Sequence, residues 1–559
     1  MHDVTALALP ELPEHSMKAV ELNGIKILLV RVEDIGTTGS AASPQTEPQT
    51  EPQTRPQTKP QIFAVEAECP HAKAPLAEGA VCNGRLICPW HAGTFELKSG
   101  TVIEPPPLRD LKRYEVRVDG DRIMVSLDPP PAAHPTPVCA EKHVVLAGFG
   151  AAGAAALCFL REHGFAGNIT VVDPVADEPI DRTALSKNAL AGQMPLDKLP
   201  MMTADEREHL IEKSGSHVAY NHIACAVTDL DQAAETLYLS NGNTLKYDAL
   251  LLATGGRPRL PGIEGERADN VFTLRHASDL QALETYIGKG RRCVIDGDGF
   301  IAFEAASALT QRGVDVTIVA RSQEPLAAKF GPEAAESILS LHRKHGVAVL
   351  HGEELEAIGN GTVTLRSGRK LPADFVLLAI GVDPITAFAC KTPLGEATDC
   401  RLDVNASLKL SHNVWAAGDI VAMNGVTIEH WRVAQQHGRV AAAAMLEQFS
   451  ALKDVSAPTK YDGVPFFWTA HFGKNFRYAG HAETWDAIEL DGNPTDHQFL
   501  AYYLRGNRVA AVLGCGRDAA LAALTESMRT SLTLEQARAI AAAYPAQAAS
   551  AKAQAASSK

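Results

Sequence analysis

Two cysteines and two histidines stand in two short loops, Cys69-Pro-His71 and Cys88-Pro-Trp-His91, with sixteen residues between them. Such a set suits either a zinc ion or a [2Fe–2S] centre with two thiolates on one iron and two imidazoles on the other. The second arrangement asks each loop for one ligand of each kind, and both loops provide it. The Cys-x-His spacing is unusual for structural zinc, where about two to four residues normally separate paired ligands. The glycines and prolines around the loops (EGAVCNGRLICPWHAGTF, then EPPPL) suit two β-hairpin loops closing on a cluster. The cluster is favoured, with Cys69, His71, Cys88 and His91 as its ligands; a zinc-bound or apo docking module is the alternative.

Glycines mark two further sites. HVVLAGFGAAGAAAL sets Gly148, Gly150 and Gly153 as G-x-G-x-x-G directly after a strand-like run. The first glycine permits the tight turn, the second admits a pyrophosphate to the backbone, and the third lets helix and strand pack closely. ITVVDP ends the next strand on Asp173, placed to accept from a ribose hydroxyl. The pattern recurs in VIDGDGFIAFEAASAL with Gly297, Gly299 and, in third position, Ala302. Its following strand, DVTIVARSQ, ends on Ala320-Arg321 rather than an acid. Loss of that carboxylate removes repulsion against a 2′-phosphate, and Arg321 could pair with one, so NADPH is favoured. The alternative is that Arg321 is a surface residue and both nucleotides are accepted.

These sites need elements to hold them. Residues 1–128 read as β-rich, with runs such as IKILLVRVE and YEVRV. A polar Pro-Gln-Thr repeat interrupts them over 43–61, with almost nothing to bury. DPPPAAHPTP makes 129–142 a stiff linker. Apolar runs then alternate with helical patterns, as α/β units with parallel sheets require. The apolar stretch Val144–Leu160 contains the fingerprint glycines and reads as strand into buried helix, not as a membrane span. A net charge of −14 argues against nucleic acid or an anionic membrane as partner. No signal peptide is visible, and most of the ten cysteines stand singly in apolar surroundings. Buried reduced thiols in a cytoplasmic protein are therefore expected, Cys69 and Cys88 apart.

The two-loop constellation resembles Rieske ferredoxins and the ferredoxin-like Rieske domains of oxygenase systems over about residues 17–128. Ala74 and Trp90 stand where respiratory Rieske proteins carry a disulfide, which implies the ferredoxin-like type. The paired fingerprints, with ALLLATGGRPRLP and NVWAAGDI, resemble the two-dinucleotide-binding flavoproteins over roughly residues 143–450. That resemblance implies FAD at the first site, with Thr254, Gly255 and Asp419 beside it, and NAD(P)H at the second, with Gly381 beside it. No redox-active cysteine pair follows the first fingerprint. In its place EPIDRTALSKNAL resembles the P-Y-x-R-P-x-L-S-K segment of oxygenase-type ferredoxin reductases and apoptosis-inducing-factor flavoproteins, with Ile180 and Thr183 as departures. It implies that Arg182 and Lys187 contact FAD, Lys187 near the flavin ring as the one catalytic residue.

IEHWRVAQQHGRVAAAAML and PFFWTAHFGKNFRYAGHAETWD resemble the Rieske-containing branch of the same flavoproteins. By that resemblance Glu429, His430 and Trp431 face FAD, while Trp468 lies near flavin or nicotinamide; singly, both tryptophans would read as core aromatics. Glu304 is expected to help position the nicotinamide, and no acid–base triad is needed. The implied fold is multidomain: an all-β Rieske domain (1–128), an FAD-binding Rossmann-like domain (143–266 and 388–452), a second, NAD(P)H-binding one (267–387), a C-terminal α+β reductase domain (458–532) and a flexible tail (533–559). The implied activity is NAD(P)H-dependent reduction of FAD, then of the chain's own cluster, then of an external redox protein or oxygenase. A homo-oligomer is compatible with this. A redox-responsive binding protein with incidental turnover is the competing class.

Overall fold

The computed structural model describes residues 3–32, 61–128, 130, 135–175, 178–389, 400–452 and 457–545. Of the Pro-Gln-Thr repeat only Gln61 is among them, at the start of a strand. The chain forms two compact units, Met1–Ala133 with Asp518–Ser527, and His134–Arg517 with Met528–Lys559.

The first unit is built of three antiparallel sheets. One orders Asp3–Ala8, Arg122–Ser126 and Val116–Asp119; a second orders Ser16–Leu22, Ile25–Val32, Gln61–Glu66 and Arg113–Tyr114. The third, Ala80–Cys82, Arg85–Ile87, Thr94–Glu96 and Val102–Glu104, carries the second cysteine–histidine loop at the end of its second strand. The strand Ile25–Val32 explains how the sheets share a core. Ile27 and Leu29 pack with Ile123 and Val125, whereas Leu28 and Val30 pack with Leu86, Phe95 and the two loop cysteines. Residues on opposite faces of a strand alternate, so this strand is apolar on both faces because both are covered. The unit also includes the helix Asp518–Ser527, whose Glu526 accepts from Arg85 Nη1 at 2.5 Å.

The second unit contains two parallel sheets. In the first, His143–Ala147 lies between Asn168–Val172 and Ala249–Leu252, with Asn221–Ile223 and Val414–Ala416 outside them and Lys409–Ser411 antiparallel at the edge. The second is ordered Val271–Phe272, Phe375–Leu378, Arg292–Asp296, Asp315–Ala320, Ala348–His351 and is parallel throughout. A five-stranded antiparallel sheet follows, ordered Phe466–His471, Lys474–Gly480, Arg508–Cys515, Gln498–Arg505, Ala487–Asn493. The helix Ala151–Glu162 is buried from Ala151 to Arg161 and crosses the helix Trp431–Gln448. Small residues make the crossing tight: a Cβ on Gly438 would sit 2.1 Å from the carbonyl oxygen of Ala152.

Two expectations require correction. Leu534–Ala543, placed in the flexible tail, is a helix: Thr533 and Gln536 form a reciprocal capping box, and Ala537 and Ala541 are buried. Alanines give no conspicuous apolar stripe, yet they pack closely. Cys400 is disulfide-bonded, not a reduced thiol, although Cys158 and Cys293 are buried thiols. Among the described residues no helix is long and apolar enough to cross a membrane.

Candidate functional site

The two cysteine–histidine loops share one backbone solution. Lys73 N–H and Ala92 N–H return to the carbonyls of Cys69 and Cys88, and both residues have positive φ, 59° and 53°. Cys69 N–H and Cys88 N–H bond onward to the carbonyls of Ala74 and Gly93. The four side chains meet as two pairs. The sulfurs of Cys69 and Cys88 are hydrogen-bonded to each other, and each accepts backbone N–H groups, from His71 and Ala72 at Cys69 and from Trp90 and His91 at Cys88. Burial pushes the Cys88 thiol up, but the Cys69 contact and these N–H groups bring it to about 7. The same contact, with burial, pushes Cys69 up. His71 Nδ1 and His91 Nδ1 approach to 3.1 Å, with the rings edge to face. A sulfur pair, buried, and a nitrogen pair, half-buried, fit a centre with two irons in different ligand fields.

In the second unit, Gly148 turns the chain out of the first strand with φ +112°, where a Cβ would lie 2.1 Å from Ala253 O. A Cβ on Gly153 would lie 2.2 Å from Gly148 O. Gly150 is different: a Cβ there would meet only the Arg182 guanidinium, at 3.7 Å. That open side belongs to a cleft of about 140 Å³ lined by Gly150, Asp173, Arg182, Thr254, Gly255 and Asp419, and also by Glu429 and Trp431. Asp173 receives the N–H groups of Phe149 and Val175 on its two oxygens. Burial, then the neighbouring Arg275, brings Arg182 down to about 10. Arg275 Nε is buried and has no protein acceptor; its Nη2 reaches Asp419 at 3.5 Å. Two crowded guanidiniums at a helix N-terminus fit an anionic pyrophosphate, which is the test that FAD must meet here.

The adjoining cleft is larger, about 660 Å³. Gly297 (φ +140°) forms its turn, and a Cβ on Gly299 would meet nothing within 4 Å. Ala302 is fully buried in the third position. Gly381 and Arg321 complete the expected wall, and Arg275 and Glu429 line both clefts. Glu429 is raised by burial and by Asp419, while Arg401 opposes the rise; Arg401 Nη2 holds its carboxylate at 2.5 Å. Burial, with help from Glu354 and Asp298 and against Arg321, raises Asp296 to about 6.

Lys187 and Glu304, 117 residues apart in sequence, form an ion pair at 2.9 Å in which the carboxylate is buried and the ammonium half-buried. Ser186 Oγ donates to the same oxygen at 2.5 Å, and Lys187 Nζ also donates to Thr183 O at 3.0 Å. His471 stands nearby, pushed well down by burial, then by His342 and Lys187. His430 is in ring contact with Phe467 at 4.5 Å. Neither Lys187, His430, Glu304 nor Trp468 lines the two clefts; Trp468 lies on the strand Phe466–His471. Sequence reasoning missed Arg275, Arg401 and Glu354. Each stands outside any motif; only the tertiary fold brings Arg275 and Glu354 to the clefts and Arg401 to Glu429.

Two fingerprint clefts sharing a wall, together with paired cysteine and histidine loops, define a two-dinucleotide flavoprotein oxidoreductase with a Rieske domain. The chain belongs to the Pyridine nucleotide-disulphide oxidoreductase family, whose sequence profile matches residues 142–438. The Rieske [2Fe-2S] domain profile matches 3–115 and the Reductase C-terminal profile 466–549. The chain is 28% identical over 489 residues to human "Apoptosis-inducing factor 3", covering 83% of this chain and 78% of that one. It is 30% identical over 405 residues to the "Biphenyl dioxygenase system ferredoxin--NAD(+) reductase component" of Paraburkholderia xenovorans (strain LB400), covering 70% and 95%. The structure also matches that of a covalent putidaredoxin reductase–putidaredoxin complex with a TM-score of 0.65 at 25% identity, over 73% of this chain and all of that one. The chain is thus an NAD(P)H-dependent flavin oxidoreductase of the ferredoxin-reductase kind.

Proposed function

We propose that this enzyme takes electrons from NAD(P)H in the larger cleft, through FAD in the smaller one, to the cluster held by Cys69, His71, Cys88 and His91, and on to an external one-electron acceptor. The observation that carries this reading is the shared wall: Arg275 and Glu429 line both clefts, so donor and flavin sites adjoin. Bound FAD supplies the conversion between two-electron hydride chemistry and the single electrons that an iron–sulfur centre exchanges.

The chain's own residues orient and charge these sites. Gly148 and Gly297 shape the turns that let backbone N–H groups face phosphates. Arg182 and Arg275 supply positive charge to the smaller cleft. Asp173, fixed by two backbone donors, keeps lone pairs for a ribose hydroxyl. Glu304 and Thr183 O hold the Lys187 ammonium in one position, from which it would offset negative charge on a bound flavin. No acid–base triad is required, because the work is orientation and electrostatics. Arg321, in the nucleotide cleft, supports NADPH as donor alongside NADH. The ferredoxin-reductase relatives support a small redox protein or an oxygenase component as acceptor.

Anaerobic titration with NADPH and separately NADH, followed by absorbance and low-temperature EPR, tests the path. Flavin bleaching accompanied by a Rieske-type signal is expected. Bleaching with the cluster left oxidised would overturn the internal route and favour a redox-responsive binding protein. Stoichiometric zinc without acid-labile sulfide would remove the cluster from the scheme.

A further inference from the structure

The larger cleft contains a charge arrangement that its glycine turn does not require. Arg321 Nε meets Glu354 Oε1 at 3.3 Å, and Arg366 Nη1 meets Glu354 Oε2 at 2.7 Å. All three line the cleft. Each oxygen of one carboxylate is thus matched to a guanidinium from a different segment. Backbone bonds fix the segments against one another: Gly352 N–H to Ser322 O, Glu353 N–H to Ala320 O, and Arg366 N–H to Glu354 O at 2.9 Å. Asp298 is committed to the N–H of Ser322 at 2.9 Å, and Arg259 to Asp383 at 2.9 Å. These contacts leave Arg321, Glu354 and Arg366 as a distinct charged triad in the wall.

A carboxylate between two guanidiniums occupies the electrostatic position that a 2′-phosphate would seek. The two anions compete for the same pair of arginines, since a guanidinium bonds carboxylate and phosphate through the same donors. A nucleotide without the phosphate has no need of the arginines, and its ribose hydroxyls can donate to Glu354. The acid absent from the end of the strand Asp315–Ala320 is therefore supplied from beyond the strand Ala348–His351. We propose that Glu354 is a specificity-determining residue, an internal carboxylate that engages Arg321 and Arg366 and restrains the cleft's preference for a 2′-phosphorylated nucleotide. This rests on the assignment of the cleft to NAD(P)H.

The test is calorimetric binding of NADP⁺ and NAD⁺ to the oxidised holoenzyme, with kcat/KM for NADPH and NADH in parallel. Glu354→Gln should tighten NADP⁺ about tenfold, equivalent to about 1.4 kcal/mol, and leave NAD⁺ unchanged or weaker. Arg366→Ala should weaken NADP⁺ about tenfold and spare NAD⁺. Glu353→Gln, at the adjacent position, should change neither. An unchanged NADP⁺/NAD⁺ ratio in Glu354→Gln overturns the proposal, as does an equal loss of both nucleotides in Arg366→Ala. Gly299→Trp separates failure of the underlying assignment, because its side chain would project into the open cleft. Undiminished binding of both nucleotides there would show that they bind elsewhere.

Discussion

Lys187 and Glu304 make one ion pair, and its two halves bear oppositely on any charge that develops beside it. Ser186 fixes the carboxylate and Thr183 O the ammonium. On the proposed reading, Lys187→Met removes positive charge and leaves the carboxylate, so the reduced flavin is stabilised less. A loss of about 1.4 kcal/mol corresponds to about 30 mV in a two-electron potential, and the flavin midpoint should fall by at least that amount. Glu304→Gln leaves the ammonium unneutralised, so the midpoint should rise. Spectroelectrochemical titration of both variants reads the signs, and shifts in the same direction would remove the pair from the flavin's surroundings. The chemistry-bearing types here were legible in sequence where spacing is local, as in Cys69-Pro-His71 or Gly148, Gly150 and Gly153. Arg275 and Glu354 were not, since neither stands in a pattern; only folding brings them to the clefts. No acid follows Ala320 in sequence, and the carboxylate that meets Arg321 is Glu354, just beyond the strand Ala348–His351.

The helix Ala151–Glu162 and the helix Trp431–Gln448 show how elements enforce the site. Ala152, Gly418 and Ala434 line the smaller cleft, while Gly438 lets the two helices approach on that same side. Gly438→Ala places a methyl 2.1 Å from Ala152 O and 2.9 Å from its carbonyl carbon, so the helices must part. Overpacking of this kind costs about 1–3 kcal/mol. The variant should show a thermal midpoint lowered by several degrees, of the order expected for that loss, and reduced FAD absorbance per chain. A normal midpoint with full flavin content would mean that the crossing yields without disturbing the cleft. Strands and fingerprint helices were legible because apolar runs, glycines and acids follow one another within about thirty residues. Burial depends on what lies opposite, which the sequence does not print, and the flexible-tail reading of Leu534–Ala543 failed for that reason. Ile25–Val32 is covered on both faces, and the alanines of Leu534–Ala543 pack although they present no large apolar stripe.

The whole molecule is two compact units, and the first is assembled from distant parts of the chain. The helix Asp518–Ser527 packs with the strands Ala80–Cys82 and Arg85–Ile87, about 440 residues earlier in sequence. Domain order read from motifs could not reveal this, because motifs are contiguous and the helix is an unremarked alanine-rich stretch. Arg85 is one fastening: its Nη1 lies 2.5 Å from Glu526 Oε1, and the Glu526 side chain is only 5% exposed. Removing one partner from such a pair costs far more than an exposed pair is worth, about 3–5 kcal/mol where burial is complete and less here, since Arg85 is partly exposed. Arg85→Ala in the full chain should therefore loosen both segments together. Hydrogen exchange read by mass spectrometry should rise in peptides covering Ala80–Ile87 and Asp518–Ser527, with peptides across Phe466–His471 unchanged. Since Cys88 follows directly on Ile87, the loop it opens should also lose rigidity, broadening a Rieske-type EPR signal. Faster exchange confined to Asp518–Ser527 would show that the helix leans on the first unit without supporting it. Joint loosening would make the helix a structural part of the cluster-binding unit.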